Sequence, residues 1–243
     1  MTEIRVDVGV QRIRGRLLRP SPMHDRHAAV VFVHGWGATQ RHDIGKAKRL
    51  VPLGYVGLTF NLRGHARTRR QRDTVTRADN LRDLRAAYDF LVAQPGVDPE
   101  RIAVVGSSYG AYLAVLLTGE RKVRALALQA PAIYKDPDFD RPKTALNLDG
   151  DLPAYRASRL APEDNLALRN AARFEGDVLL VESENDTVIP HQVVENYRAA
   201  FSAAASVTHH LLERADHGLG SQGSRHAYGA TLSAWLLRVL PAQ

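Results

Sequence analysis

The sequence predicts an α/β protein with a mostly parallel central sheet and helices on both of its faces. From Ala28 onward, short apolar runs alternate with segments of helical periodicity. Serine, histidine, aspartate and glycine residues follow several of these runs directly, at the carboxyl ends of predicted parallel strands, where such sheets bind ligands. A chain of 243 residues is long enough for one such domain, so we expect residues 1–243 to form a single unit.

The composition limits the possible functions. The chain has no cysteine, which excludes disulfides, a cysteine nucleophile and thiolate metal sites. Its net charge of +7 comes mostly from arginine, without the basic stripe and interleaved aromatic residues typical of nucleic-acid binding. We expect no nucleic-acid partner, no metal and no cofactor, since no histidine pair has metal-ligand spacing. The oligomeric state stays open.

Neither the start nor the interior of the chain suggests a membrane. The first residues alternate polar and apolar side chains and lack the apolar core of a signal peptide. No apolar run approaches the length of a membrane span. We therefore expect a cytoplasmic protein without membrane association.

The first third of the chain predicts a sheet edge followed by central strands. Alternation over Ile4–Arg19, interrupted at glycine, favours two antiparallel edge strands. Ala28–Val33 is fully apolar and predicts a buried central strand. It runs directly into His34-Gly35-Trp36-Gly37, where the glycines let the backbone approach a ligand closely.

A helix, a strand and a second helix should follow, with an arginine-rich loop before the second helix. The predicted bounds are Arg41–Leu53, Tyr55–Phe60 and Thr76–Ala93. Six arginines lie between positions 63 and 77. They are typical of a solvated, mobile loop; the alternative is an anion-binding rim for a carboxylate or phosphate group.

The central motif is Gly106-Ser107-Ser108-Tyr109-Gly110. It lies between a predicted strand, Ile102–Val105, and a predicted apolar helix, Ala111–Thr118, which is the context of a nucleophile elbow. In this turn Ser108 projects above the sheet, and the flanking glycines avoid a collision between a Cβ atom and the neighbouring backbone. Ser107 is the competing hydroxyl, but it lies off the centre of the motif.

The segment after the next strand, Val123–Gln129, has a different character. Residues 133–176 are rich in Asp, Pro and Arg at first and become helical in pattern from Tyr155 to Phe174. We interpret this segment as a small cap insertion above the site. It should supply most of the walls of the substrate pocket.

The last two strands should carry an acid and a base. Asp186 follows the strand Asp177–Ser183, with Glu184 and Glu182 as reserve candidates, and can orient a histidine. His217 follows the strand Ser206–Leu212 and lies in a loop before glycine, which favours a general base over a core histidine. Helices should follow each loop, from Pro190 to about Ala204 and from about Ser221 to Leu240.

The chain resembles the α/β-hydrolase superfamily over essentially its full length. Ser108, Asp186 and His217 occur in the order typical of that fold. The motifs that carry the resemblance are His34-Gly35-Trp36-Gly37, Asn61-Leu62-Arg63-Gly64-His65, Gly106-Ser107-Ser108-Tyr109-Gly110, Asn185-Asp186-Thr187-Val188-Ile189-Pro190 and Asp216-His217-Gly218. The elbow and the small cap are most similar to the cinnamoyl-esterase and acyl-peptidase-like branches. Ala66 follows His65 where the superfamily often has glycine.

The expected function is that of a serine carboxylesterase acting on a small-molecule ester. Ser108 would be the nucleophile, with the backbone amides of Trp36 and Tyr109 as the oxyanion hole. His34 and Arg63 are the candidate substrate-binding residues. An aspartate nucleophile is disfavoured because serine occupies the elbow. A thioesterase, a small peptidase or amidase, and an inactive hydrolase-fold binding protein are the alternatives.

Overall fold

A computed structural model describes residues 1–23, 26–148 and 150–242 and contains one eight-stranded sheet. Its strand order is β1-β2-β4-β3-β5-β6-β7-β8. The strands are β1 (Thr2–Val8), β2 (Gln11–Leu18), β3 (His27–Val33), β4 (Val56–Phe60), β5 (Val97–Ser107), β6 (Ala125–Gln129), β7 (Asp177–Asn185) and β8 (Ser206–Asp216). The helices are α1 (Arg41–Leu50), α2 (Arg77–Val92), α3 (Tyr109–Thr118), α4 (Leu152–Ala157), α5 (Leu166–Ala172), α6 (His191–Ala200) and α7 (Gln222–Val239).

The sheet is parallel from β4 to β8, and its amino-terminal edge is antiparallel. β1 pairs with β2 and β2 with β4 in antiparallel register, as the alternating pattern of the first residues predicts. The parallel part contains the all-buried strands, including β3 and β4. Helices on both faces exclude water from these strands, which is why they are continuously apolar.

The side chains of each central strand alternate between two hydrophobic layers. In β3, Val31 and Val33 belong to the layer beneath α2 and α3, whereas Val30 and Phe32 belong to the layer beneath α1 and α7. This alternation is the period of two that a pleated strand imposes. The predicted α/β-hydrolase fold, with helices on both faces, is confirmed.

Two predicted elements differ from the structure in an instructive way. β8 continues from the predicted end at Leu212 to Asp216, because it stays paired with β7 up to Asn185. The helical pattern predicted over Tyr155–Phe174 is interrupted in the structure: α4 ends at Ala157 and α5 begins at Leu166. Pro162 lies in the break, where its missing N–H and fixed φ are incompatible with a continuous helix.

The segment 133–176 packs against the rest of the protein through apolar side chains. Leu146, Leu152, Leu168 and Phe174 belong to the same hydrophobic layer as α2 and α3. Within the described ranges, none of the helices combines the length and apolar character needed to cross a bilayer.

Candidate active site

The turn between β5 and α3 has the strained geometry of a nucleophile elbow. Ser108 adopts φ of 52° and ψ of −114°, in a region that L-residues rarely enter. A Cβ atom at Gly106 would collide with the backbone of Ala111, and one at Gly110 would collide with the carbonyl oxygen of Val33. The two glycines are therefore sterically required, as the motif predicts, and the turn presents the Ser108 hydroxyl at the carboxyl edge of the sheet.

Asp186 lies directly after β7 and is held by its own loop. Its Oδ1 accepts hydrogen bonds from the amides of Val188 and Ile189, each at 2.8 Å. Its Oδ2 accepts from Nδ1 of His217, also at 2.8 Å. Burial alone would raise the pKa of Asp186, but the hydrogen bond from His217 and those from the two amides lower it below its ordinary value.

His217 lies directly after β8 and joins Asp186 to Ser108. Because Nδ1 donates to Asp186, the neutral ring has Nε2 free to accept, and Nε2 lies 3.1 Å from Oγ of Ser108. The backbone carbonyl of His217 accepts a hydrogen bond from the side chain of Gln129 at 3.1 Å. The structure thus brings the three predicted residues into one hydrogen-bonded chain.

The two reserve carboxylates of β7 have other partners. Glu182 accepts hydrogen bonds from His191 and His209, at 2.7 and 3.0 Å. Glu184 accepts from the backbone amide of Arg214 at 2.6 Å. Of these three candidate carboxylates, that of Asp186 is the one that hydrogen-bonds to His217.

The loop of residues 34–37, which carries the amide of Trp36 predicted for the oxyanion hole and is called the oxyanion loop below, lies beside the elbow. Gly35 is so close that a Cβ atom there would press on Ser107 and Ser108. The backbone amides of Trp36 and Tyr109 donate no hydrogen bond to any of the described residues. Both are therefore available to an oxygen atom at the site.

The buried side chain of His65 holds this loop through a hydrogen bond to its backbone. Nε2 of His65 accepts from the amide of Gly37 at 3.0 Å, and Nδ1 donates to the carbonyl of Arg63 at 3.1 Å. Burial lowers the pKa of His65 to about 4, with nearby His34 adding to the effect. The ring stays neutral near pH 7, as an acceptor at Nε2 requires.

The structure gives His34 and Arg63 structural partners. Nδ1 of His34 donates to the Gly35 carbonyl, and Nε2 accepts from the Leu62 amide. His34 lines the cavity described below, but both ring nitrogens are already occupied. Arg63 does not line the cavity: its Nε lies 2.6 Å from Asp83. These contacts favour a structural role for both side chains over the predicted binding of substrate.

The six arginines between positions 63 and 77 differ in their exposure. Arg67, Arg69 and Arg70 are exposed, in keeping with the solvated-loop interpretation. Arg77 is fully buried and donates to the hydroxyl of Tyr112 and to the carbonyl of Lys135. None of the six arginines lines the cavity beside Ser108.

A cavity of about 420 Å³ opens beside Ser108 and His217. Its walls come from the loop after β3, from α1, from the loop after β8 and from α7. No described residue of the segment 133–176 lines it, so the prediction that this segment supplies most of the pocket walls is wrong for this cavity. The lining side chains include Trp36, His42, Asp43, Lys46, Arg49, Gln129, Leu219, Arg225, His226 and Tyr228.

Sequence reasoning missed most of these lining residues. The available signal was the spacing of Asp43, Lys46 and Arg49, three residues apart, which places them along one side of α1. The contribution of α7 had no comparable signal, because it depends on how two helices distant in sequence pack.

The segment 133–176 instead reaches the aromatic residues on the other side of the oxyanion loop. Nζ of Lys143 lies 5.0 Å from the ring centre of Trp36, 5.5 Å from that of Tyr109 and 4.9 Å from that of Tyr134. Burial lowers the pKa of Lys143 to about 8, and the positive charges of three nearby arginines add to the effect. The rings stabilise the ammonium group through cation–π contacts.

The fold and this arrangement define an α/β-hydrolase. The sequence profile of the prolyl oligopeptidase family matches residues 45–243, and the chain belongs to that family. This membership agrees with the α/β-hydrolase fold of the chain. An uncharacterized protein of Mycobacterium tuberculosis is 32% identical over 120 residues, which are 49% of this chain and 39% of that relative. The match thus spans about two fifths of the relative's length.

Solved structures show the same fold at low sequence identity. Est1E from Butyrivibrio proteoclasticus, with bound ferulic acid, has a TM-score of 0.75 and 14% identity, covering 97% of this chain and 98% of the other. A puromycin-hydrolyzing peptidase of Mycobacterium tuberculosis has a TM-score of 0.77 and 22% identity, covering 100% of this chain and 39% of the other. An acylaminoacyl peptidase of Pyrococcus horikoshii has a TM-score of 0.76 and 16% identity, covering 100% and 42%.

Proposed function

We propose that this protein is a serine carboxylesterase that hydrolyses a small-molecule ester through Ser108, His217 and Asp186. The observation that carries the proposal is the hydrogen-bonded chain from Ser108 Oγ through His217 to Asp186. Asp186 holds the tautomer of His217 in which Nε2 can accept the serine proton. The lowered pKa of Asp186 keeps it ionised when His217 becomes charged.

The reaction proceeds through an acyl-enzyme. As His217 takes the proton from Ser108, the serine oxygen attacks the ester carbonyl, and the amides of Trp36 and Tyr109 donate to the resulting oxyanion. His217 then returns the proton to the leaving alcohol as the carbon–oxygen bond breaks. In the second step, which hydrolyses the acyl-enzyme, a water molecule gives its proton to His217 and attacks the acyl carbon. The carboxylic acid leaves and the proton returns to Ser108.

An amidase or small peptidase is the second candidate. The membership of the prolyl oligopeptidase family favours it. The same residues serve both reactions, because an amide differs from an ester at the leaving group, which His217 protonates. A thioesterase and an inactive binding protein are the remaining alternatives.

The decisive experiment is hydrolysis of p-nitrophenyl esters of increasing acyl length, with Ser108→Ala as the test variant. We expect the variant to lose at least about a thousandfold in kcat/KM, because the nucleophile is gone. Ser107→Ala is the matched control for the identity of the nucleophile. A fluorophosphonate should label wild type and Ser107→Ala, and it should not label Ser108→Ala.

Three results decide among the candidates. Ester hydrolysis that Ser108→Ala abolishes supports the carboxylesterase. Labelling at Ser108 without hydrolysis of any ester would contradict the ester substrate and favour the amide or thioester reactions. Neither labelling nor hydrolysis would favour the inactive binding protein.

A further inference from the structure

The cavity between α1 and α7 is positively charged. Its lining includes Lys46, Arg49 and Arg225, and among the described lining residues the carboxylate is that of Asp43. Oδ1 of Asp43 lies 2.7 Å from Nζ of Lys46, so this carboxylate is already paired. Two positive charges of the lining remain unbalanced.

The two arginines donate hydrogen bonds to neutral groups. Nη2 of Arg49 donates to Nδ1 of His226 at 2.9 Å, and Nη1 of Arg225 donates to the carbonyls of Leu219 and Gly220. In the described part of the chain, neither guanidinium forms an ion pair. Each group keeps unused N–H donors, and a guanidinium binds a carboxylate through two such donors at once.

The inner wall of the cavity is also polar. Oδ2 of Asp43 and the hydroxyl of Tyr228 are buried and have no hydrogen-bond partner in the structure. Nζ of Lys46 lies 3.4 Å from Oγ of Ser107, beside the elbow. Burial alone would lower the pKa of Lys46, but nearby Asp43 and Tyr228 together outweigh this effect and raise the pKa above its ordinary value. Lys46 is therefore charged at neutral pH.

These features disfavour an alkyl chain as the occupant. An alkyl group would exclude water from the Tyr228 hydroxyl without offering it a hydrogen bond, and a buried polar group left unpaired costs about 1–3 kcal/mol. It would also cover two guanidinium groups that are exposed to water in the structure. An anionic oxygen ligand would instead accept hydrogen bonds from the Tyr228 hydroxyl and the guanidinium groups and balance their charge. It would not satisfy Oδ2 of Asp43, which is itself an acceptor.

We propose that this cavity is the subsite for a carboxylate carried by the substrate, bound by Arg49, Arg225 and Lys46. The inference rests on the proposed function, because the cavity opens at Ser108 and His217. The substrate class is then a hydrolysable compound with a free carboxylate, located either on its acyl part or on its leaving group.

Paired substrates distinguish the two locations. For the acyl part, p-nitrophenyl hemiglutarate is compared with the neutral p-nitrophenyl valerate. For the leaving group, 4-acetoxybenzoate is compared with 4-acetoxybenzamide. In at least one pair we expect the charged compound to have a kcat/KM about fivefold higher in wild type, and Arg49→Gln to remove most of that preference. The pair that shows the preference identifies the location of the carboxylate.

The control variant is Arg41→Gln, which removes an exposed arginine from the same helix outside the cavity lining. It should keep the wild-type ratio. Arg225→Gln can also disturb the loop of His217, but a general loss of activity cancels in the ratio of the two substrates. Equal rates within both pairs, or an equal loss of preference in Arg41→Gln and Arg49→Gln, would overturn the inference.

A binding measurement separates this inference from the proposed function. Glutarate alone, followed by saturation-transfer NMR, should bind wild type and Ser108→Ala alike and bind Arg49→Gln several-fold more weakly. Binding that is absent, or that Arg49→Gln leaves unchanged, refutes the subsite even if esters are hydrolysed. Binding with this pattern in a protein that hydrolyses no ester keeps the subsite and rejects the carboxylesterase.

Discussion

The two faces of the sheet differ in how far their buried polar groups have hydrogen-bond partners. On the face of α2 and α3, the buried guanidinium groups have partners: Asp83 holds Arg63, and both terminal nitrogens of Arg77 donate hydrogen bonds. The Nε atom of Arg77 is the exception, since it has no partner in the structure. On the face of α1 and α7, a cavity remains, and Asp43 and Tyr228 in its lining have buried oxygen atoms without partners. Ser108 lies at the end of β5, between the two faces.

This difference separates a stabilising face from a binding face. Polar groups that are buried and paired contribute to one fixed arrangement, since removing either partner leaves the other unsatisfied. Polar groups that are buried and unpaired lower stability, and a ligand can satisfy them. We therefore expect substitutions on the first face to change stability and substitutions on the second to change binding.

The largest effect on stability should come from Asp83→Ala. Its side chain is fully buried and accepts hydrogen bonds from Nε and from the backbone amide of Arg63. Removing this carboxylate leaves the mostly buried guanidinium of Arg63 without its main partner. We therefore expect a loss of about 3–5 kcal/mol in the free energy of unfolding. Urea denaturation followed by circular dichroism measures the loss.

Asp89→Ala is the matched control on the same helix. Asp89 also binds an arginine, Arg121, at 2.7 Å, but its side chain is 51% exposed. An exposed pair of this kind contributes at most about 1 kcal/mol. Equal losses in the two variants would contradict the role of the paired, buried face.

A smaller effect should separate two buried tyrosines. Tyr112→Phe removes the hydroxyl that accepts from Nη1 of Arg77 at 2.9 Å, and we expect a loss of about 1–3 kcal/mol. Tyr228→Phe removes a hydroxyl that has no partner, so the free energy of unfolding should stay the same or rise slightly. Urea denaturation of both variants tests the comparison.

The comparison fails if Tyr228→Phe destabilises the protein as much as Tyr112→Phe. That outcome would mean that the Tyr228 hydroxyl has a partner in solution. The α1–α7 face would then resemble the α2–α3 face, and the polar argument for a ligand in the cavity would lose one of its supports.

The fold and the positions of Ser108, Asp186 and His217 could be predicted because they depend on local sequence. Each residue follows a strand, and parallel strands bring their carboxyl ends to one edge. The partner of Arg63 could not be predicted, since Asp83 lies 20 positions later on a helix. The cavity could not be predicted either, because its lining joins residues distant in sequence, such as Arg49 and His226, which hydrogen-bond across 177 positions. Such contacts depend on tertiary packing.

The smallest predicted effect concerns Lys143, the basic group beside the oxyanion loop. Its pKa is lowered to about 8, whereas an unfolded lysine titrates near 10.5, so the unfolded chain binds more protons between these values. The stability of wild type relative to Lys143→Met should therefore rise by about 1 kcal/mol from pH 7 to pH 9. Urea denaturation of both proteins at each pH gives the difference. A constant difference over this range would show that the Lys143 ammonium is solvated and does not lie among the three rings, and the α2–α3 face would then be more open than the structure shows.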